Sequence, residues 1–92
     1  MNISFSGKTA PDHDTFGISF EAIVDGSQVR CRVTTEALQD IDPSNAVGEP
    51  ASQFALNRSS FEQIADKLIR AGNVQNGQVF IKSEDLRYLK RG

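Results

Sequence analysis

The chain has 92 residues, 38% of them hydrophobic and 24% charged, with a formal net charge of −2. That length suits one domain over residues 1–92, burying roughly 60–65% of the surface its unfolded chain would expose, and the composition excludes disorder and fibrous repeats. A single cysteine excludes an internal disulfide, no Cys/His set has zinc spacing, and no window approaches the roughly 18 apolar residues of a membrane span.

In chain order, Ile3 and Phe5 flank Ser4 in an alternating phase that predicts a short first strand. The polar run "SGKTAPDHDT" that follows is predicted to be a flexible, solvated loop, since Pro11 and its small polar neighbours have loop chemistry. Phe16, Ile18, Phe20, Ala22 and Val24 then alternate with Gly17, Ser19, Glu21 and Ile23, and Val29, Cys31 and Val33 with Gln28, Arg30 and Arg32 in the next stretch. Asp25-Gly26 between them is a tight-turn pair, so the two arms form a β-hairpin. A two-residue turn pairs Ala22 with Val29, Phe20 with Cys31 and Ile18 with Val33 on the apolar face, and sets Glu21 opposite Arg30 on the other.

Thr34 or Thr35 is placed to cap a short helix over "EALQDI", which Asp42-Pro43 ends. After the linker "DPSNAVGEP", Phe54, Phe61, Ile64, Ala65 and Leu68 recur on one face until Gly72. This predicts one long helix from near Pro50, although Ser59 to Glu62 matches a capping box and offers a second start. Asn76-Gly77 predicts a turn, Gln78 to Lys82 a late strand, and Ser83 a cap for a final helical turn docked by Leu86 and Leu89. The expected architecture is α+β in two layers: a small, mainly antiparallel sheet covered by the long helix, with the late strand beside either hairpin arm.

Chemistry-bearing residues are few. Cys31 falls on the apolar face, where a thiol behaves as a small hydrophobe and its thiolate is disfavoured. The only histidine, His13, lies in the polar run, and Asp12, His13 and Asp14 are too close in sequence to converge on one ion. Arg58, Glu62, Asp66 and Arg70 form an i,i+4 row expected to be a solvated face. Arg30 and Arg32 are read as outward scaffold, with Glu21 a local partner for Arg30. No catalytic residue, metal ligand or cofactor site is assigned; the binding candidates are Arg30, Arg32 and Arg58.

Residues up to Ala46 carry three Lys/Arg against seven Asp/Glu, a balance of −4, and the remainder carries seven against five, a balance of +2. Net acidity disfavours a broad nucleic-acid footprint, while the split allows an anionic partner for the second half, where Lys82, Arg87, Lys90 and Arg91 make a basic tail.

Together, "ISF", "SFEAIVDGSQVRCRVTTEAL", "FALNRSSFEQIADKLI" and "GQVFIKSEDL" resemble the small bacterial proteins of the domain-of-unknown-function family numbered 1488. The resemblance spans nearly the whole chain and implies a bacterial source and a small α+β fold. It carries over no activity, cofactor or catalytic residue. The leading expectation for function is a non-catalytic accessory or protein-interaction module of the cytoplasm, monomeric or homodimeric, without membrane attachment. A nucleic-acid or anion binder using the arginines and the tail is the alternative, and an enzyme using Cys31 or His13 ranks third.

Overall fold

The computed structural model describes residues 1–45 and 48–89. Four strands, β1 (Ile3–Asp12), β2 (Gly17–Val24), β3 (Ser27–Val33) and β4 (Gln78–Ile81), form one sheet in the order β1-β2-β3-β4. The first two junctions are antiparallel and β4 runs parallel to β3. Between β3 and β4 the chain crosses over through α1 (Thr35–Asp40), a 3₁₀ turn (Pro43–Asn45), α2 (Pro50–Leu56) and α3 (Arg58–Arg70), and after β4 it ends in a second 3₁₀ segment, Ser83–Leu89. This is the expected α+β layering, with the late strand on the edge beside β3.

The hairpin has the register its alternation dictates: Ile18 pairs with Val33, Phe20 with Cys31 and Ala22 with Val29, while Glu21 faces Arg30. These inward residues, with Val79 and Ile81 of β4, meet Phe54, Phe61, Ile64, Ala65, Leu68 and Ile69 from the helices in one buried cluster. Aromatic rings run through it in series, Phe5 to Phe20 at 6.0 Å, Phe20 to Phe54 at 4.9 Å and Phe54 to Phe61 at 5.8 Å. Thr34 caps α1 by accepting from the Ala37 amide, Gly72 closes α3 at φ +85°, and Leu86 and Leu89 pack against the core. Removing the Cys31 side chain from this cluster is expected to cost about 1–2 kcal/mol, read from urea unfolding of Cys31→Ala.

Three expectations are corrected. First, β1 does not stop at Phe5. It continues through the run predicted to be a solvated loop, passing a bulge between Phe5 and Thr9 where Gly7 takes φ +90°. Pairing with β2, and not its own side-chain pattern, keeps residues 9–12 extended, and Pro11 is tolerated because β1 is an edge strand.

Second, the single long helix is two. Asn57, at φ −121° and ψ 23°, breaks the ladder, and its side-chain amide donates to the Gln53 carbonyl at 3.1 Å. The apolar phase survives because Phe54 and Phe61 stack across the break. The capping box does not form: α3 begins at Arg58 with no side-chain cap.

Third, Ser83 does not cap the final turn. Asp85 does, accepting from the Lys82 amide at 2.8 Å, while the Ser83 hydroxyl is buried without a hydrogen-bond partner.

Candidate functional site

Helices cover one face of the sheet, so side chains of the opposite phase stand on a face that no helix covers. There the structure contradicts the picture of Arg32 as a solvated arginine. Its residue exposure is 8%, and Asp12, predicted to lie in a loose loop, is 2% exposed. Arg32 projects from near the C-terminal end of β3 and reaches across β2 to Asp12 at the C-terminal end of β1. Its Nε donates to Asp12 Oδ2 at 2.7 Å and its Nη2 to Asp12 Oδ1 at 2.9 Å, a two-pronged ion pair. Nη2 also donates to Asp14 Oδ2 at 2.8 Å and Nη1 to Gln78 Oε1 at 3.0 Å. Four of the five guanidinium N–H directions are thus engaged, and the group lies 4.8 Å from the centre of the Phe80 ring.

The reach is possible because the residue between the partners is small. Ser19 pairs with Arg32 on one side and with Ala10 on the other, so no bulky side chain blocks the path. The consequence is a locked β1–β2 connection. The Asp14 amide donates to Asp12 Oδ1 at 3.1 Å, the Gly17 amide to the Thr15 hydroxyl at 3.2 Å, and the Thr35 hydroxyl to the Thr15 carbonyl at 3.0 Å.

Electrostatics follow the geometry. The hydrogen-bonded Arg32 guanidinium holds the Asp12 carboxyl well below its ordinary value of 3.8, overcoming the opposing effect of burial, with help from the Asp14 and Thr15 amides. The unfolded chain therefore takes up this proton first as pH falls. The stabilisation is complete above the ordinary carboxylate range and is lost on acidification through it. Between about pH 5 and pH 2, the melting temperature of the native protein is expected to drop more steeply than that of Asp12→Asn, measured by thermal scans across pH. Equal slopes would show that the pair contributes nothing to acid sensitivity.

Cys31, at the same level of β3 but on the covered face, is fully enclosed, and burial, assisted by the Glu62 charge, pushes its thiol up to about 12. A thiol so placed is expected to resist alkylation at mildly alkaline pH until the protein unfolds; rapid labelling of the folded chain by iodoacetamide would contradict the enclosure.

The other candidates are dispersed. Arg30 is exposed on the open face, and although it pairs with Glu21 in the ladder, the two side chains form no ion pair. It lines a groove of about 660 Å³ with Lys8, Ala10, Ser19, Glu21 and Gln78. Arg58 belongs to the helical layer, where it donates to Glu62 at 3.0 Å and lies against the Gly7 bulge. Its row behaves as expected, with Arg70 donating to Asp66 at 2.6 Å. The three arginines therefore do not converge. Lys90 and Arg91 of the basic tail lie outside the described residues. His13 is exposed, and among the described residues no group of three or more His, Cys, Asp or Glu is arranged to hold a metal ion. No described helix is long and apolar enough to cross a membrane.

Sequence reasoning missed Asp12, Asp14 and Gln78 as partners of Arg32. The available signal was the pairing of small outward residues, Ala10 and Ser19, between an arginine and a pair of aspartates; using it required knowing that β1 extends to Asp12.

No curated protein matches the chain. Among solved structures, one described as a protein of unknown function from the DUF1488 family of Shewanella loihica PV-4 shares the fold, with a TM-score of 0.75 over 88% of this chain and 94% of that one at 23% identity. The model of the family described as "Protein of unknown function (DUF1488)" matches residues 3–81, spanning every strand and helix on which the core and the Arg32 cluster are built, and the chain belongs to that family.

Proposed function

We propose that the chain is a small accessory module of the bacterial cytoplasm that acts by binding another protein and not by catalysing a reaction. The observation that carries this reading is how Arg32 is used. The most elaborate polar cluster spends its charges on internal partners, engaging four of the five guanidinium N–H groups and leaving a single Nη1 N–H for any outside ligand. Its product is a rigid surface. Cys31, the strongest nucleophile by residue type, is sealed in the core with its thiol form favoured.

The test is affinity capture of the tagged full chain from its own bacterium, followed by reconstitution with the purified candidate. A defined protein that rebinds in purified form, as either a monomer or a homodimer of this chain, supports the module. An anion or nucleic-acid binder is the second reading, favoured by Lys8 and Arg30 lining one groove without ion pairs. It predicts retained nucleic acid that is lost steeply on raising salt and on Arg30→Gln. Failure to rebind any purified protein would overturn the first reading.

A further inference from the structure

Phe16 ends the connection that Arg32 locks, and two of its properties oppose ordinary folding economy. Its φ is +59°, a left-handed conformation that suits Gly or Asn and disfavours a bulky aromatic, and its residue exposure is 78%. Strain of this kind persists only where surrounding structure over-determines it. Here the surroundings do: Asp12 and Asp14 are tied to Arg32, and Thr15 is tied to Gly17 and Thr35. Beside the ring lies a recess of about 310 Å³ whose apolar walls are Pro11, Phe16, Ile18, Pro50 and Ala51.

We infer that Phe16 and this recess are the docking surface for a cationic peptide segment of a partner protein, one that seats an apolar side chain against Phe16 and sets Lys or Arg on the rim. This rests on the reading of the chain as a protein-binding module.

The sign of the rim selects the occupant. Asp12, His13 and Glu49 are the titratable residues lining the recess, and no Lys or Arg is among them. Asp14, next to His13 in the chain with its side chain 84% exposed, shares the single Arg32 charge with Asp12, so the two aspartates and the arginine leave one negative charge that adds to that of Glu49. Exposed Glu36 adds to the same end, because its neighbour Thr35 is bonded to Thr15. A knob beside a hole also invites a second copy related by a two-fold axis. That arrangement would set the Asp14 and Glu49 rim near its own image, a like-charge contact that a cationic segment turns into an attraction.

The experiment is selection of a short random-peptide library on the immobilised full chain, with Phe16→Asn as the counter-target. Enriched peptides are expected to carry net positive charge around an apolar residue and to bind Phe16→Asn at least about tenfold more weakly. Phe16→Asn itself is expected to melt about 2–6 °C higher, since Asn tolerates the left-handed conformation. That rise separates a presented ring from a structural one, which would lower the melting temperature when removed. Acidic peptides, peptides indifferent to Phe16→Asn, no enrichment, or concentration-dependent dimerisation abolished by Phe16→Asn would each overturn the proposal. Peptides that ignore Phe16 while binding would leave the module reading standing; only failure of purified partners to rebind removes that reading.

Discussion

Arg32→Gln is expected to destabilise the protein by about 3 kcal/mol, the low end of the 3–5 kcal/mol range for breaking one side of a buried ion pair. The cost comes mainly from what remains. Asp12 stays at the end of β1 with its side chain 1% exposed, and it loses both guanidinium donors and the cation that balances its charge, keeping only the backbone amides of Asp14 and Thr15. The low end applies because the open face has no second layer, so water can enter once the guanidinium is gone. Glutamine offers at most one neutral donor in the same direction and cannot span β2 in a two-pronged pair. For a domain of this size, with total stability on the order of 5–14 kcal/mol, such a loss is large.

Arg30→Gln provides the contrast. Arg30 is exposed and makes no ion pair, so its replacement should change stability by less than about 0.5 kcal/mol. Urea unfolding of the two single variants settles the comparison: similar midpoints would show that the Asp12 pair is energetically idle. The Asp12→Asn/Arg32→Gln double variant should recover part of the loss, since neither side then leaves an isolated charge.

The equivalence drawn from sequence between Arg30 and Arg32 fails for a definite reason. Alternation within the hairpin correctly sends both side chains to the same face, and register correctly places Glu21 opposite Arg30. Neither pattern contains β1. A strand held at an edge by its neighbour's hydrogen bonds needs no apolar alternation of its own, so "KTAPDHDT" has the composition of a loop while its residues Thr9, Ala10, Pro11 and Asp12 pair with β2. The buried cluster depends on that missing strand, and so does the exposed position of Phe16, which alternation alone assigns to the core. The features that were legible, namely the hairpin, the cap at Thr34, the late strand and the apolar helix face, are each encoded within one or two adjacent segments. The Arg32 cluster was not legible because it requires contact between residues on three strands, whereas the break at Asn57 and the Asp85 contact are local side-chain choices that the apolar phase and the Ser83 pattern do not encode.

Gly17→Ala is expected to cost about 3 kcal/mol or more, at or beyond the upper end of ordinary overpacking. Gly17 opens β2 directly after Phe16. A Cβ built there would lie 1.9 Å from the Val33 carbonyl oxygen, 3.0 Å from its carbon and 3.1 Å from the Thr34 carbon. These are backbone atoms of the paired strand, so no rotamer change can clear them. Relief requires the β2 and β3 backbones to separate where Ile18 meets Val33, both of them core residues, and where the Thr34 amide donates to Ile81 and fastens β4. The same movement would loosen Thr15 from Thr35 and release the connection that Arg32 holds. Gly26→Ala supplies the control. Gly26 takes φ +87° with nothing within 4 Å of an added Cβ, so its variant carries conformational strain alone, about 1 kcal/mol. If steric contact with β3 is the cause, Gly17→Ala should unfold at much lower urea than Gly26→Ala and lose amide-exchange protection first along Ile18, Val33 and Ile81. Equal midpoints for the two variants would mean that the strands yield there at little cost, and that the tight approach of Gly17 to Val33 is not what holds this end of the sheet.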